Sequence, residues 1–276
     1  MAGPERIDPT ERAHLRDVAG YSPPIYRYTP GPDLEHLVRR YWIPVWSLPA
    51  GTSTVQRVLQ YPVCLLVVSD DYSIMVGVGT GLGRQELSGA GWALGVMLQP
   101  AAGALLLRAP VSTLTDRSIP LPEVPGLDGT TLTERVRVAM REAPTAESAH
   151  RTAIAAVEDA LRAIGPVDGE GALVNAIVSF VEDRSEVQRV SQICTAFGIG
   201  ERALQRLTAR RIGLSPKWLI QRRRLHEAAE RLRAGAAVDL AAAAAELGYA
   251  DQAHFTRDFR TVTGVTPGAF LAERRE

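Results

Sequence analysis

Arg202, Gln205 and Arg206 stand at i, i+3 and i+4 of a helix-forming run, GERALQRL, so their side chains share one face. Arg forks onto the O6 and N7 of guanine, and Gln onto the N6 and N7 of adenine. Such a face can read base edges in the major groove of double-stranded DNA. A second face follows in DQAHFTRDFR, where Gln252, Ala253, Thr256, Arg257 and Arg260 point outward and His254 lies beside Phe255. With no second ligand near it in sequence, His254 reads as a structural or base-edge hydrogen-bonding group rather than a metal ligand.

Two helix-turn-helix segments position these faces. The first is VSQICTAFGIGERALQRL, Val190 to Leu207, with Val190, Ile193, Phe197, Leu204 and Leu207 as its packed interior. The second is LAAAAAELGYADQAHFTRDF, Leu240 to Phe259, with Leu247, Phe255, Phe259 and Val262 as core and Asp251 as a cap. Each turns at a glycine, Gly198 or Gly248. The alanines from 241 to 245 favour helix and let it lie close against a partner. Between the motifs, LSPKWLIQRRRLHEAAERLRAG opens on a Ser215 cap with Pro216 as first helical residue and ends at Gly235. Trp218, Leu225, Ala229 and Leu232 form its inward stripe. At ~1.5 Å per residue this helix is about 28 Å long, near the ~34 Å between successive major grooves on one DNA face. Of the run Arg222-Arg223-Arg224, not all can point one way; Arg222 is expected to reach phosphate.

Charge separates along the chain. Residues 188–276 hold 15 Lys+Arg against 9 Asp+Glu, and residues 1–187 hold 16 against 22, although the whole is neutral. Lys217 is the one lysine in the basic segment, and Arg suits phosphates and guanine edges. A basic domain joined to an acidic one fits a nucleic-acid binder with a separate sensing or partner domain.

The fold expected is α+β: a β-rich sandwich or barrel over 1–130, a helical linker or dimerisation segment over 131–185, and an all-α double helix-turn-helix domain over 186–276. Six prolines make the first 33 residues mostly irregular. VRRYWIPVWSL, VQRVLQYPVCLLVVSD, YSIMVGVGTGLG and WALGVMLQP are short β-rich runs broken by Pro, Gly and Asp. Glycines 77, 79, 81 and 83 do not fit GxGxxG and read as turn or bulge positions. A second irregular stretch covers Ile119 to Thr130, and Thr131-Leu-Thr-Glu134 resembles a capping box opening a helix to about Glu142. Ile154, Val157, Leu161 and Ile164 mark a further helix, and Leu173, Ile177, Phe180 and Val181 another. These helices serve either as a dimer surface or as packing for the β domain. Tyr41, Trp42, Trp46, Trp92 and Met97 are candidates to line an apolar pocket, although aromatics on strands are commonly core.

GERALQRL, IGLSPKWLIQRRRLHEAAERL and AAELGYADQAHFTRDFRTVTGVTPGAF resemble the DNA-binding domain of the AraC/XylS family of bacterial regulators, from about Val190 to Phe270. The resemblance implies base contacts at Arg202, Gln205 and Arg206, a second set at Gln252, Ala253 and Thr256, and a phosphate contact at Arg257. Cys194, Gly200 and Thr208 depart from the family pattern, which usually has Ala, a Ser cap and an aromatic at those positions. VRRYWIPVW and GWALGVMLQPAAGALLL are similar to the β-rich sensor half of actinobacterial members. That implies control by a small-molecule effector and a homodimer as common family traits, with RNA polymerase as partner for an activator.

The leading expectation is a sequence-specific transcription regulator without cofactor or metal. The alternatives are an effector-independent regulator controlled by a protein partner or by abundance, and a DNA-repair methyl acceptor. The last needs an activated thiolate, whereas Cys64 sits in the apolar run YPVCLLVV, where burial makes a thiol inert. His14, His36 and His150 are scattered and form no His-x-His pair. Two cysteines are too few for a disulfide framework, no apolar run approaches membrane length, and the N-terminus lacks a signal-peptide core. A cytoplasmic location is expected.

Overall fold

The computed structural model describes residues 14–15, 21–233 and 239–272. Its β-rich runs pair antiparallel throughout, as short strands joined by tight turns must. One sheet has six strands, in the order β2 (Ile25–Tyr28), β3 (Val38–Ser47), β8 (Ala90–Leu98), β5 (Leu65–Ser69), β6 (Ser73–Val76) and β9 (Ser118–Pro120). A second has three, in the order β1 (His14–Leu15), β4 (Ser53–Leu59) and β7 (Leu82–Ser88). Two of the six-stranded sheet's members fall where prolines suggest irregular chain. Both β2 and β9 are edge strands, where a missing backbone N–H costs least. Gly77, Gly79 and Gly81 lie in the β6–β7 connection, and Gly83 lies in β7.

Both faces of the large sheet are covered. Side chains alternate along a strand, so Tyr41 and Ile43 of β3 point one way, with Leu94 and Val96 of β8 and Met75 of β6, all buried. That face packs on helices α1 (Ala102–Leu107), α2 (Gly129–Met140), α3 (Glu147–Arg162) and α4 (Gly169–Asp183). The helices thus pack back on the β domain, through Ile154, Val157 and Leu161 of α3 and Val174, Ile177, Val178 and Val181 of α4. The cap of α2 is Asp128, whose carboxylate accepts from the Thr131 N–H at 3.0 Å, so the helix starts two residues before the expected box and ends at Met140. Buried His150 is held from both sides. Its Nε2–H donates to the Pro144 carbonyl at 2.7 Å, and the Tyr28 hydroxyl donates to its Nδ1 at 2.7 Å.

The C-terminal third is helical. The first motif is α5 (Val190–Phe197) and α6 (Glu201–Arg211); α7 (Pro216–Arg233) follows; the second motif is α8 (Leu240–Glu246) and α9 (Gln252–Thr263), with α10 (Pro267–Ala272) behind it. The turns are set by Gly198 (φ 61°) and Gly248 (φ 76°), left-handed conformations that glycine adopts without a Cβ penalty.

Among the described residues the apolar interior divides in two. Ile193, Leu204, Leu207, Ile212, Leu219 and Ile220 belong to the same core as the β-sheet and α1–α4. The second motif has its own cluster of Leu225, Ala228, Ala229, Leu232, Ala244, Leu247, Tyr249, Phe255, Phe259 and Phe270. One residue of the β domain, Leu59 at the end of β4, is buried in that second cluster.

Candidate nucleic-acid interface

The first reading face is well exposed. Arg202, Gln205 and Arg206 all face solvent along α6, while Leu204 and Leu207 turn inward. Gln205 Nε2 donates to Glu201 Oε1 at 3.2 Å, a contact that a base edge can displace. Arg202 and Arg206 make no ion pair among the described residues. The far end of α6 is committed instead. Arg210 and Arg211 bond Glu170, and Arg211 also bonds Asp168, at the start of α4. The Arg211 hydrogen bond holds the Asp168 carboxyl below the usual carboxylate range. Gly200 starts α6 without a side-chain cap. Thr208 is fully buried and its hydroxyl donates to the Gln205 carbonyl at 3.2 Å, so the core here is closed by a small polar group.

The second face matches the first in kind. Gln252, Ala253, His254, Arg257 and Arg260 are exposed on α9 and Thr256 is half-buried, while Phe255 and Phe259 are fully buried behind them. Asp251 caps the helix, accepting from the His254 N–H at 2.7 Å. The His254 ring meets Tyr249 edge-on at 5.2 Å, and the Tyr249 hydroxyl donates to Asp258 Oδ2 at 3.0 Å.

Arg222 is not on this surface. It is 2% exposed, its Nη2 donates to the Thr80 carbonyl at 2.7 Å, and its guanidinium lies 4.6 Å from the Trp218 ring centre. Burial pushes its pKa down to about 10, so it remains a cation at neutral pH. Its neighbours are also tied down. Arg223 bonds Glu227 at 2.6 Å and the Val187 carbonyl at 2.8 Å, and Arg224 bonds the Gln188 carbonyl at 3.2 Å. The cause is that α7 touches the β domain and both motifs, so no side of it is left as a free stripe. Arg222→Met, which keeps an unbranched stem against Trp218, is expected to leave DNA affinity within about threefold. A larger loss, with a shallower salt dependence, would return Arg222 to the DNA surface.

The apolar candidates split between the two faces of the large sheet. Trp42, Trp46 and Met97 line a chamber of about 260 Å³ between the sheets, with Val58, Leu65, Val67, Ile74 and Leu87. Trp42 lies across from Gly95, where a Cβ would sit 2.1 Å from the indole ring, so glycine there makes room for it. Tyr41 and Trp92 do not reach the chamber; both are buried on the opposite face, and the Tyr41 hydroxyl donates to Glu158 at 3.5 Å. Cys64 is buried too. Its thiol is pushed up to about 12 by desolvation, so it is not a nucleophile at neutral pH and methyl-acceptor chemistry has no thiolate there.

Sequence reading missed the residues that join chamber to helix. Leu59, Gln60 and Tyr61 line the chamber and also hold the C-terminal domain. Leu59 enters the second core, the Gln60 carbonyl accepts from His226 Nε2 of α7 at 3.1 Å, and Tyr61 stacks on the His226 ring at 4.3 Å. The signal available was only an apolar strand ending in Gln-Tyr-Pro, which does not say what it meets.

Residues 193–273 match the family described as "Helix-turn-helix domain", and residues 26–120 match one described as "Domain of unknown function (DUF6597)". No curated protein matches the chain. Among solved structures it is similar to three of ToxT from Vibrio cholerae. An apo ToxT variant gives a TM-score of 0.40 at 14% identity, over 84% of this chain and 97% of that one. ToxT bound to (E)-4-(8-methylnaphthalen-1-yl)but-3-enoic acid gives 0.39 at 12%, over 92% and 98%. Unsaturated fatty acid bound wild-type ToxT gives 0.39 at 10%, over 84% and 94%. The C-terminal match falls on the two motifs and the helix between them, and it makes this chain a DNA-binding transcription regulator with an AraC-type helix-turn-helix domain.

Proposed function

We propose that the protein binds a two-part operator in double-stranded DNA, with α6 and α9 in successive major grooves, under the control of a small apolar molecule in the chamber. One observation carries the first half. Both recognition helices present exposed Arg and Gln side chains, while most other arginines of the domain are committed to carboxylates or carbonyls. Selection from a random duplex pool should enrich two short elements with centres about one helical turn, roughly 34 Å, apart. Enrichment of no sequence, or of a single element, would sink this reading. As an activator the protein would also contact RNA polymerase. As a homodimer it would protect two copies of the two-part site, which the footprint length reports.

The second half rests on continuity between chamber wall and helix α7. A ligand that displaces Leu59, Gln60 or Tyr61 alters the contacts that hold α7 and the second motif. The chamber is just below the ~300 Å³ lower end of common ligand pockets, which suits a compact apolar molecule. Ala93→Leu projects into this space from β8. It should reduce binding of the apolar dye anilinonaphthalene sulfonate at least fivefold and leave ligand-free DNA affinity unchanged. Undiminished dye binding would place the effector site elsewhere.

A further inference from the structure

A groove of about 270 Å³ separates the two motifs, walled by Arg189 at the start of α5, Lys217 and Arg224 of α7, and His254 and Asp258 of α9. Its charges are unequal. Asp258 is its one carboxylate among the described residues and already accepts from the Tyr249 hydroxyl, while Arg189, Lys217 and Arg224 are cations. Arg189 and Lys217 are exposed, and neither has an ion pair or side-chain hydrogen bond among the described residues. Arg210, Arg211, Arg223 and Arg231 of the same domain, in contrast, each bond a carboxylate.

The wall is fixed in place. The Gln188 carbonyl accepts from Arg224 Nη2 at 3.2 Å, and the Gln188 N–H donates to Gln192 Oε1 at 2.9 Å. The Gln188 side chain lies against Gly248, where an added Cβ would meet it at 2.5 Å. Gln188, two residues ahead of the first motif, therefore abuts the turn of the second. Ser215 and Asp251 cap the first turns of α7 and α9, so the capacity for an anion lies in the basic side chains and not in free helix N–H groups.

We propose that this groove is a phosphodiester-binding site: it seats the DNA strand that passes between the two recognition helices, with Arg189 and Lys217 as its charge contacts. This rests on the DNA-binding reading and extends it to residues outside both recognition helices. The groove's place supports that occupant. His254 borders it and stands next to Gln252 and Ala253 of the second reading face, and Arg189 opens the motif that carries the first. Such contacts position the duplex and carry no sequence information.

The test uses the full chain, a fluorescein-labelled duplex selected by the protein and a scrambled duplex of equal length. Each phosphate contact contributes about 0.9 to the slope of log affinity against log salt concentration. The double variant Arg189→Gln, Lys217→Gln should lower that slope by about 2 and weaken both duplexes by the same factor, leaving their ratio unchanged. Arg141→Gln, an exposed arginine of the N-terminal domain, should change neither. Phosphate ethylation of the selected duplex should block the wild-type protein at linkages between the two elements. An unchanged slope, a loss confined to the selected duplex, or no interference between the elements would overturn the proposal. A wild-type protein that binds neither duplex would overturn the DNA-binding reading itself.

Discussion

Arg202→Ala combined with Arg206→Ala is expected to cost about 1–3 kcal/mol of operator binding for each arginine, and to relax base preference in one element of the site only. Both side chains are exposed, lie on one face of α6 and make no ion pair among the described residues, so the substitutions break no ion pair there. The loss should therefore appear in DNA binding and not in thermal stability. Neighbouring contacts couple, and the double variant need not equal the sum of the singles. A scan of operator bases read against each variant decides the matter. Arg257→Ala and Arg260→Ala should move their effects to the other element. If variants on α6 and α9 relax the same bases, the two helices do not occupy separate grooves.

Phe259→Ala should destabilise the second motif by about 3–5 kcal/mol, a large part of an ordinary domain's stability. Phe259 is fully buried, with ring centres 5.8 Å from Phe255 and 5.6 Å from Phe270, so no shift of a single neighbour refills the space. The cluster it belongs to is small and separate from the core that holds the first motif and the β-sheet. Hydrogen exchange should accordingly lose protection across α8, α9 and α10 while α5, α6 and the large sheet retain it. Uniform loss across the chain would mean that the two clusters unfold as one unit. The variant should also keep weak reading of the element bound by α6, because that helix is anchored elsewhere.

Helix periodicity made much of the interface legible in the sequence. A 3.6-residue repeat fixes which side chains share a face, so Arg202, Gln205 and Arg206 come together wherever α6 packs. The glycine turns and the Asp251 cap are equally local. The chamber was half legible. Trp42 and Trp46 are four apart on β3 and must share a face, and the same alternation puts Tyr41 on the other one. Trp92 and Met97 are five apart on β8 and must likewise point opposite ways. Aromatic identity alone hid this, because both faces of the sheet are buried, each in a different layer. The edge strands β2 and β9 were illegible because each is held by its partner, β2 by β3 and β9 by the sequence-distant β6, and not by its own short, proline-flanked sequence.

Two Arg- and Gln-bearing helix faces, each behind a glycine turn, follow from local sequence, since those features arise within a few residues of chain. The fate of the arginines between them depends on long-range packing. Arg222 has the type and spacing of a phosphate contact, yet it lies under the Thr80 carbonyl and against Trp218, because the β domain covers its side of α7. Arg189 and Lys217 stand far apart in sequence and come to one groove because Gln188, just ahead of the first motif, meets Gly248 at the turn of the second. Burial and encounter are properties of what packs against a residue, and no local periodicity encodes them.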